Sequence, residues 1–296
     1  MFHIIVNPIS GRKKNQDKKN KFLSQIKKYL DEKKIAYKWY VSEYYRHPNE
    51  LAKKITSENE NGSIVTIGGD GTFNEVLNGV NNLDKWNLGI IPAGSGNDFA
   101  SVINFSKKKP LECLDKIFMS EAKKTDYILV NGKRCANVLG TGIDIAVLEN
   151  FEKYKKLKGK FRYLVALISA LLHFDWYSFD VSIDGKEFEH KNGFIICLCN
   201  GSSIGGGITI CPGANCYDEK LEFVYVDKMK KIKIPFYLVS LLNKKIFKKK
   251  GTQHIYCQKA VFKSNKPFVI QIDGNITEPN NEYNCEIIKG GLNLYR

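Results

Sequence analysis

Over residues 1–127, apolar and polar positions alternate in a strand-then-helix rhythm. Phe2–Val6 is an apolar run of strand length, Gln16–Lys34 reads as a helix, Ala36–Val41 as a strand and Asn49–Ser57 as a helix. Ser63–Ile67 is a β-branched run of the kind buried in a parallel sheet, and Leu88–Ile91 is another strand. Between them Phe73, Val76, Leu77 and Val80 recur at i, i+3, i+4 and i+7, the apolar stripe of an amphipathic helix. This alternation predicts an α/β N-terminal domain, residues 1–127, with a doubly wound parallel sheet.

After Asp126 the texture changes to short runs separated by turns: Tyr127–Asn131, Phe179–Ile183, Phe194–Asn200, Leu221–Val226 and Phe268–Ile272. Asn131-Gly132 and Asp184-Gly185 are strong hairpin signals. A mainly antiparallel β-sandwich is expected over residues 128–296, interrupted by a helix around Lys160–Phe174, with the last residues free to return to the first domain. The active site is expected in the interdomain cleft.

The apolar run from Tyr163 to Phe174 is shorter than the roughly twenty residues that cross a bilayer, so it reads as a core helix or one wall of a lipid-accepting groove. Ile232–Lys250 combines Phe236, Leu238, Val239, Leu241, Leu242, Ile246 and Phe247 with six lysines, and Pro235 suits a first helical turn. It fits a helix lying on an anionic interface, and equally a packed helix with its lysines in water.

Charge adds to this picture. The 296 residues carry 46 Lys plus Arg against 31 Asp plus Glu, a net charge of +15. That balance suits nucleic acid, an anionic membrane or a phosphorylated substrate. No segment has the spacing of a base-reading module, so nucleic acid is not the expected partner. Eight scattered cysteines make no pair of zinc knuckles, and reduced thiols in the cytoplasm are expected.

The candidate chemistry lies at strand ends. Gly68-Gly69-Asp70-Gly71-Thr72 stands between the strand Ser63–Ile67 and a helix start, where glycines permit close approach and unpaired N–H groups favour phosphate. Asn7-Pro8-Ile9-Ser10-Gly11-Arg12 follows the first strand, and Pro92-Ala93-Gly94-Ser95-Gly96-Asn97-Asp98 follows Leu88–Ile91. In an open parallel sheet these loops gather at one carboxyl edge, where ligands bind. Asp70, awkward beside phosphates, suits a magnesium ligand or a proton acceptor. Asp98 reads alternatively as the N-cap of a helix starting near Phe99, and Asp126 as a turn residue.

Together these segments resemble the diacylglycerol kinase catalytic domain and its bacterial lipid kinase relatives. The resemblance continues through Thr125-Asp126-Tyr127, Asn137-Val138-Leu139-Gly140-Thr141-Gly142-Ile143-Asp144, Gly205-Gly206-Gly207, Pro212, Ala214, Asp218, Leu221 and Ile272-Asp273-Gly274. It implies an ATP- and Mg2+-dependent lipid kinase acting at an anionic membrane surface, peripherally associated, most simply converting diacylglycerol to phosphatidate. Asp70 and Asp273 are its implied catalytic residues, with Asp98 and Asp126 as supporting carboxylates. Asn7, Pro8, Ser10, Gly11, Arg12, Thr66, Gly68, Gly69, Gly71, Thr72, Glu75, Gly94, Ser95 and Asn97 are its nucleotide-binding set. Asp218 and Leu221 stand at its metal loop.

Two positions depart from the family pattern. Glu219 replaces a glycine in the metal loop, so a carboxylate loop without metal is an alternative; Asn275 replaces the glutamate of Asp-Gly-Glu. Asparagine accepts no proton at neutral pH, leaving Asp273, with Glu278 nearby in sequence. A NAD kinase-like enzyme and a catalytically impaired lipid- or nucleotide-binding relative are therefore kept as alternatives, and a homodimer is left open.

Overall fold

The computed structural model describes residues 1–11, 16–106, 110–154, 165, 169–170 and 178–296. Arg12 lies outside them, as does the apolar run 163–174 apart from residues 165, 169 and 170. The chain divides into two compact units, Met1–Tyr127 with Lys289–Arg296, and Ile128–Ile288.

In the first unit the elements run β1 (Phe2–Val6), α1 (Gln16–Glu32), β2 (Tyr37–Val41), α2 (His47–Glu58), β3 (Gly62–Gly68), α3 (Asp70–Gly79), β4 (Trp86–Pro92), α4 (Asp98–Val102), α5 (Pro110–Phe118) and β5 (Lys123–Val130). Strands β2, β1, β3 and β4 lie side by side in that order, all parallel. Their side chains are apolar on both faces: Ile4, Ile5, Ile64, Val65, Ile67, Leu88, Ile90 and Ile91 are all buried. This is why β3 and β4 read as continuous rather than alternating apolar runs. Helix α3 buries Phe73, Val76 and Leu77, the predicted stripe. Beyond β4 the chain's final segment adds a further parallel pairing, Asn293 with Asn87 and Leu294 with Leu88.

The second unit is antiparallel throughout its described pairings. It contains β6 (Lys133–Cys135), β7 (Val138–Gly142), α6 (Ile143–Lys153), β8 (Ser178–Ile183), β9 (Lys186–Cys199), β10 (Ser203–Ile204), β11 (Ile208–Thr209), β12 (Leu221–Asp227), α7 (Ile234–Leu242), β13 (Thr252–Cys257), β14 (Lys259–Phe268), β15 (Gln271–Ile272), β16 (Asn275–Ile276) and most of β17 (Asn280–Leu294). The long strand β9 pairs with β8 through Lys186–Asn192 and with β7 and β12 further along. One apolar core gathers Leu139, Val181, Ile196, Leu198, Phe223, Tyr225, Phe262 and Tyr283. A second, on the other face of β7, β9 and β12, gathers Val138, Ile195, Cys197, Val224 and Val226 under α6 and α7.

Both predicted hairpin turns form. Asn131-Gly132 and Asp184-Gly185 each place two successive residues at positive φ (45° and 78°; 49° and 80°), the backbone of a type I′ turn. Elsewhere the structure corrects the expected elements. Phe268–Ile272 is not one strand: β14 ends at Phe268 and β15 begins at Gln271, because Ile270 N bonds Thr277 Oγ1 rather than a ladder partner. Ile232–Lys250 is not one helix: a 3-10 turn (Lys231–Lys233), α7 and a second 3-10 turn (Ile246–Lys248) follow one another, with Lys244 at φ 59° closing α7. Pro235 does stand in the first turn of α7.

Candidate active site

The loops after β1, β3 and β4 interlock in the first unit. Asn7 donates from Nδ2 to Thr72 Oγ1 at 2.9 Å, and its backbone N–H bonds Ile67 O at 3.0 Å. Gly68 O accepts from the amides of Ala93 and Gly94 at 2.7 and 3.2 Å. Gly69 and Gly94 pack backbone to backbone: a Cβ on Gly94 would lie 2.5 Å from Gly69 Cα, closer than any side chain tolerates. A Cβ on Gly71 would meet nothing within 4 Å, so the first turn of α3 opens to space. Asn97, at φ 62°, closes its own loop by accepting from Gly94 N at 2.8 Å and donating to Gly94 O at 3.1 Å. Ser95 is exposed at that loop's tip, Pro8 and Gly11 are half-buried beside Asn7, and Thr66 is fully buried within β3.

Lys19 is the residue that sequence reading missed. From α1 its ammonium donates to Asn7 O (2.7 Å), Ser10 O (2.9 Å) and Ser10 Oγ (2.9 Å), bringing a positive charge onto the first loop. In the sequence it is one of a cluster of lysines in a basic helix, and nothing local distinguishes it from its solvated neighbours.

The carboxylates of this unit have defined partners. Asp70 accepts from the backbone amides of Asp98 and Phe99, each at 3.0 Å, through its two oxygens. It therefore satisfies N–H groups at the start of α4 that the helix itself leaves unpaired. Asp98 is not the N-cap: Asn97 holds that position, without a side-chain cap, and Asp98 is the buried first residue of α4. Asp126 is buried and accepts from Gly290 N at 2.7 Å, tying β5 to the returning C-terminal segment. Glu75, on α3, is half-buried; burial pushes its carboxyl above the usual range, against the opposing influence of Arg46.

In the second unit Asp273-Gly274 forms the two-residue turn between β15 and β16, with φ of 49° and 84°. The Asp273 carboxylate turns back onto the segment entering β7. It accepts from Ala136 N (2.8 Å), Asn137 N (2.9 Å), Val138 N (3.3 Å) and the Cys135 thiol (3.1 Å). Burial, then the Asp273 charge, raises the Cys135 thiol well above its usual range, so it serves as a donor. Asn275 is half-buried in β16, and Glu278 is exposed, its carbonyl accepting from Tyr283 OH at 2.9 Å. In the acidic loop Asp218 Oδ1 accepts from Lys220 N at 3.2 Å, Glu219 stands at φ 61°, and Leu221 is buried at the start of β12. The left-handed backbone at Glu219 gives the physical reason a glycine suits that position.

Comparison with known proteins matches this geometry. Residues 1–130 match the diacylglycerol kinase catalytic domain, and residues 137–294 match the YegS C-terminal NAD kinase beta sandwich-like domain. The chain belongs to the diacylglycerol kinase-like family of lipid kinases. Proteins named "putative lipid kinase" from Staphylococcus aureus and Staphylococcus haemolyticus are each 28% identical, the match spanning 72% of this chain and 70% of theirs. In fold, the family member resembles a structure described as a putative diacylglycerol kinase from Bacillus anthracis, with TM-score 0.79, 20% identity and coverage of 99% and 96% of the two chains. It also resembles, at TM-score 0.55 and 13% identity over 100% of this chain and 94% of the other, an NAD kinase from Archaeoglobus fulgidus solved with ATP. A kinase family of this fold implies ATP as donor.

Proposed function

We propose that this family member is an ATP- and magnesium-dependent lipid kinase that phosphorylates the hydroxyl of diacylglycerol to give phosphatidate at an anionic membrane surface. The observation that carries the reading is the interlocking of the three strand-end loops around the open first turn of α3. Backbone amides at a helix start attract phosphate oxygens, and close glycine backbones leave room for them. Lys19, already bonded to Asn7 and Ser10, adds charge neutralisation on one side. Asn7, Thr72 and Gly94 fix the loops, so little ordering cost remains when nucleotide binds.

The acidic loop at Asp218 and Glu219 supplies the hard oxygen donors that magnesium takes, and an ion held there would fix the loop that leads into β12. Membrane contact is supported by α7 and its flanks. Phe236, Val239, Leu242 and Ile232 are 66%, 56%, 67% and 78% exposed, and Lys233, Lys244, Lys245 and Lys248 are exposed around them. Exposed apolar side chains ringed by cations suit an interface that is apolar below and anionic above. Among the described residues no helix is long and apolar enough to cross a membrane.

A second reading, a family member with impaired transfer, is favoured by Asp273. Its carboxylate already accepts four hydrogen bonds, and Asn275 brings no second acid. One assay separates the readings: purified protein with radiolabelled ATP, magnesium and, in turn, diacylglycerol micelles, sphingosine and NAD. Label in phosphatidate is expected. Label only in the NAD product would transfer the chain to small-molecule phosphorylation, and ATP binding without any labelled product would establish the impaired relative. Asn275→Glu should raise turnover if the missing acid is a handicap, and Asp70→Asn should abolish it.

A further inference from the structure

The second unit holds a cluster that the kinase reading does not use. Cys211, Glu222 and His254 bring a sulfur, an oxygen and a nitrogen atom to within 4.8 Å of one another. Glu222 Oε2 is the meeting point: Cys211 Sγ approaches it at 2.7 Å and His254 Nε2 bonds the same oxygen. Cys211 is fully buried, the Glu222 side chain is 4% exposed and that of His254 24%.

Strand register explains the convergence. Glu222 on β12 is paired directly with Cys199 on β9, and His254 on β13 is opposite Val224, one diagonal step away. Residues two apart on a strand share a face, so Cys199, Glu222 and His254 point the same way. The chain past β11 lays Cys211 over them, where the Cys199 thiol is its hydrogen-bonded neighbour. Leu221, by contrast, packs in the opposite core with Phe223 and Tyr225. Phe247 stacks on the His254 imidazole at 4.4 Å and 8°, with Tyr256 edge-on at 5.0 Å, which fixes the ring plane.

A carboxylate this buried needs a compensating positive charge. Glu222's partners are an imidazole and a thiol, and thiolate, imidazole and carboxylate together make the donor set preferred by zinc over magnesium or calcium. Zinc bonds of about 2.3 Å to sulfur and about 2.0–2.2 Å to nitrogen and oxygen set tetrahedral ligand atoms about 3.3–3.8 Å apart. Cys211 Sγ and Glu222 Oε2, 2.7 Å apart as hydrogen-bonded partners, would move apart to admit an ion.

We propose that Cys211, Glu222 and His254, with Cys199 as the adjoining fourth donor, bind a zinc-type divalent ion that clamps β9, β12 and β13 to the Cys211 segment. On loading, the protons of the Cys211 and Cys199 thiols and of the Glu222–His254 hydrogen bond are released to solvent and the ion takes the position between the four donors; no electron is exchanged. The proposal is independent of the kinase reading, since the ligands hold the second unit together and need no nucleotide.

The test uses the full chain, stripped with chelator under reducing conditions, then titrated with Zn2+ and separately with Co2+. One equivalent of zinc should bind and raise the melting temperature, and Co2+ should give the intense near-ultraviolet thiolate charge-transfer band of a tetrahedral sulfur-ligated site. Cys211→Ser should reduce that band to the contribution of Cys199, Cys199→Ser with Cys211→Ser should abolish it, and His254→Gln should weaken zinc binding by about tenfold or more. Cys113→Ser, a buried thiol of the first unit, should change neither. Should Cys211→Ser fail to fold, the wild-type cobalt spectrum and His254→Gln still decide. No thiolate band and no thermal shift in the wild type would overturn the proposal in favour of a hydrogen-bonded triad. Loss of two titratable thiols in the wild type but not in Cys211→Ser would overturn it in favour of a Cys199–Cys211 disulfide.

Discussion

At the scale of single residues, the nucleotide-side loops depend on atoms that are absent as much as on those present. Gly94→Ala would thrust a Cβ to 2.5 Å from Gly69 Cα and 2.9 Å from Asn97 Oδ1. The expected cost is about 1–3 kcal/mol in urea denaturation, with weaker ATP binding because the two loops must separate. Glu219 is the converse: a Cβ-bearing residue at φ 61°, so Glu219→Gly should stabilise by about 0.5–1 kcal/mol on the same measurement. Glu75 supplies a pH signature. Its folded carboxyl holds a proton to higher pH than in the unfolded chain, because of burial first. The folded state therefore binds more protons in that window, and the stability this group contributes is full at acid pH and lost as pH rises to neutrality. Glu75→Gln should stabilise at neutral pH, with the gain disappearing below the ordinary glutamate range. The strand-end residues were legible because glycine and asparagine at such positions have few other uses. Lys19 was not, since a lysine's role depends on what its long side chain reaches.

At the scale of elements, periodicity located most helices and strands of the first unit to within a few residues, because parallel strands buried on both faces and amphipathic helices leave opposite signatures. It failed where local and tertiary demands differ. The expected strand Phe268–Ile272 divides because Thr277 and Tyr283 capture its backbone, as in Tyr283 OH to Phe268 O at 3.0 Å. The expected helix Ile232–Lys250 breaks into three, with Ile234, Leu241 and Ile246 buried in the core and Tyr237, Leu238 and Phe247 packed against it. What remains outward on α7 is a testable surface. Phe236→Glu with Leu242→Glu should reduce sedimentation with anionic vesicles, and reversing Lys244, Lys245, Lys248 and Lys249 should do so more strongly at low salt than at high. Binding unchanged by both sets would exclude α7 as the membrane contact.

At the scale of the whole molecule, the first unit is completed by residues from the far end of the chain. Leu294 is fully buried beside Leu88, Tyr295 OH bonds Ser63 Oγ at 2.8 Å, and Arg296 Nε donates to Thr125 Oγ1 at 3.2 Å. Leu294→Ala should cost about 2–5 kcal/mol. Hydrogen exchange should accelerate in β3 and β4 first, while β9 and β12 keep their protection; equal acceleration in both units would show instead that they unfold as one.

The sequence by itself determined the α/β first unit, the antiparallel second unit and the strand-end loops, because hydrophobic period and glycine placement are local properties. Tertiary structure alone decided what the acids do. Asp70 holds the start of a helix at Asp98 and Phe99, Asp273 holds the segment at Ala136–Val138, and Glu222 meets Cys211 and His254. A carboxylate's role is set by the donors brought to it, and here those donors come from chain segments 11 to 137 residues away.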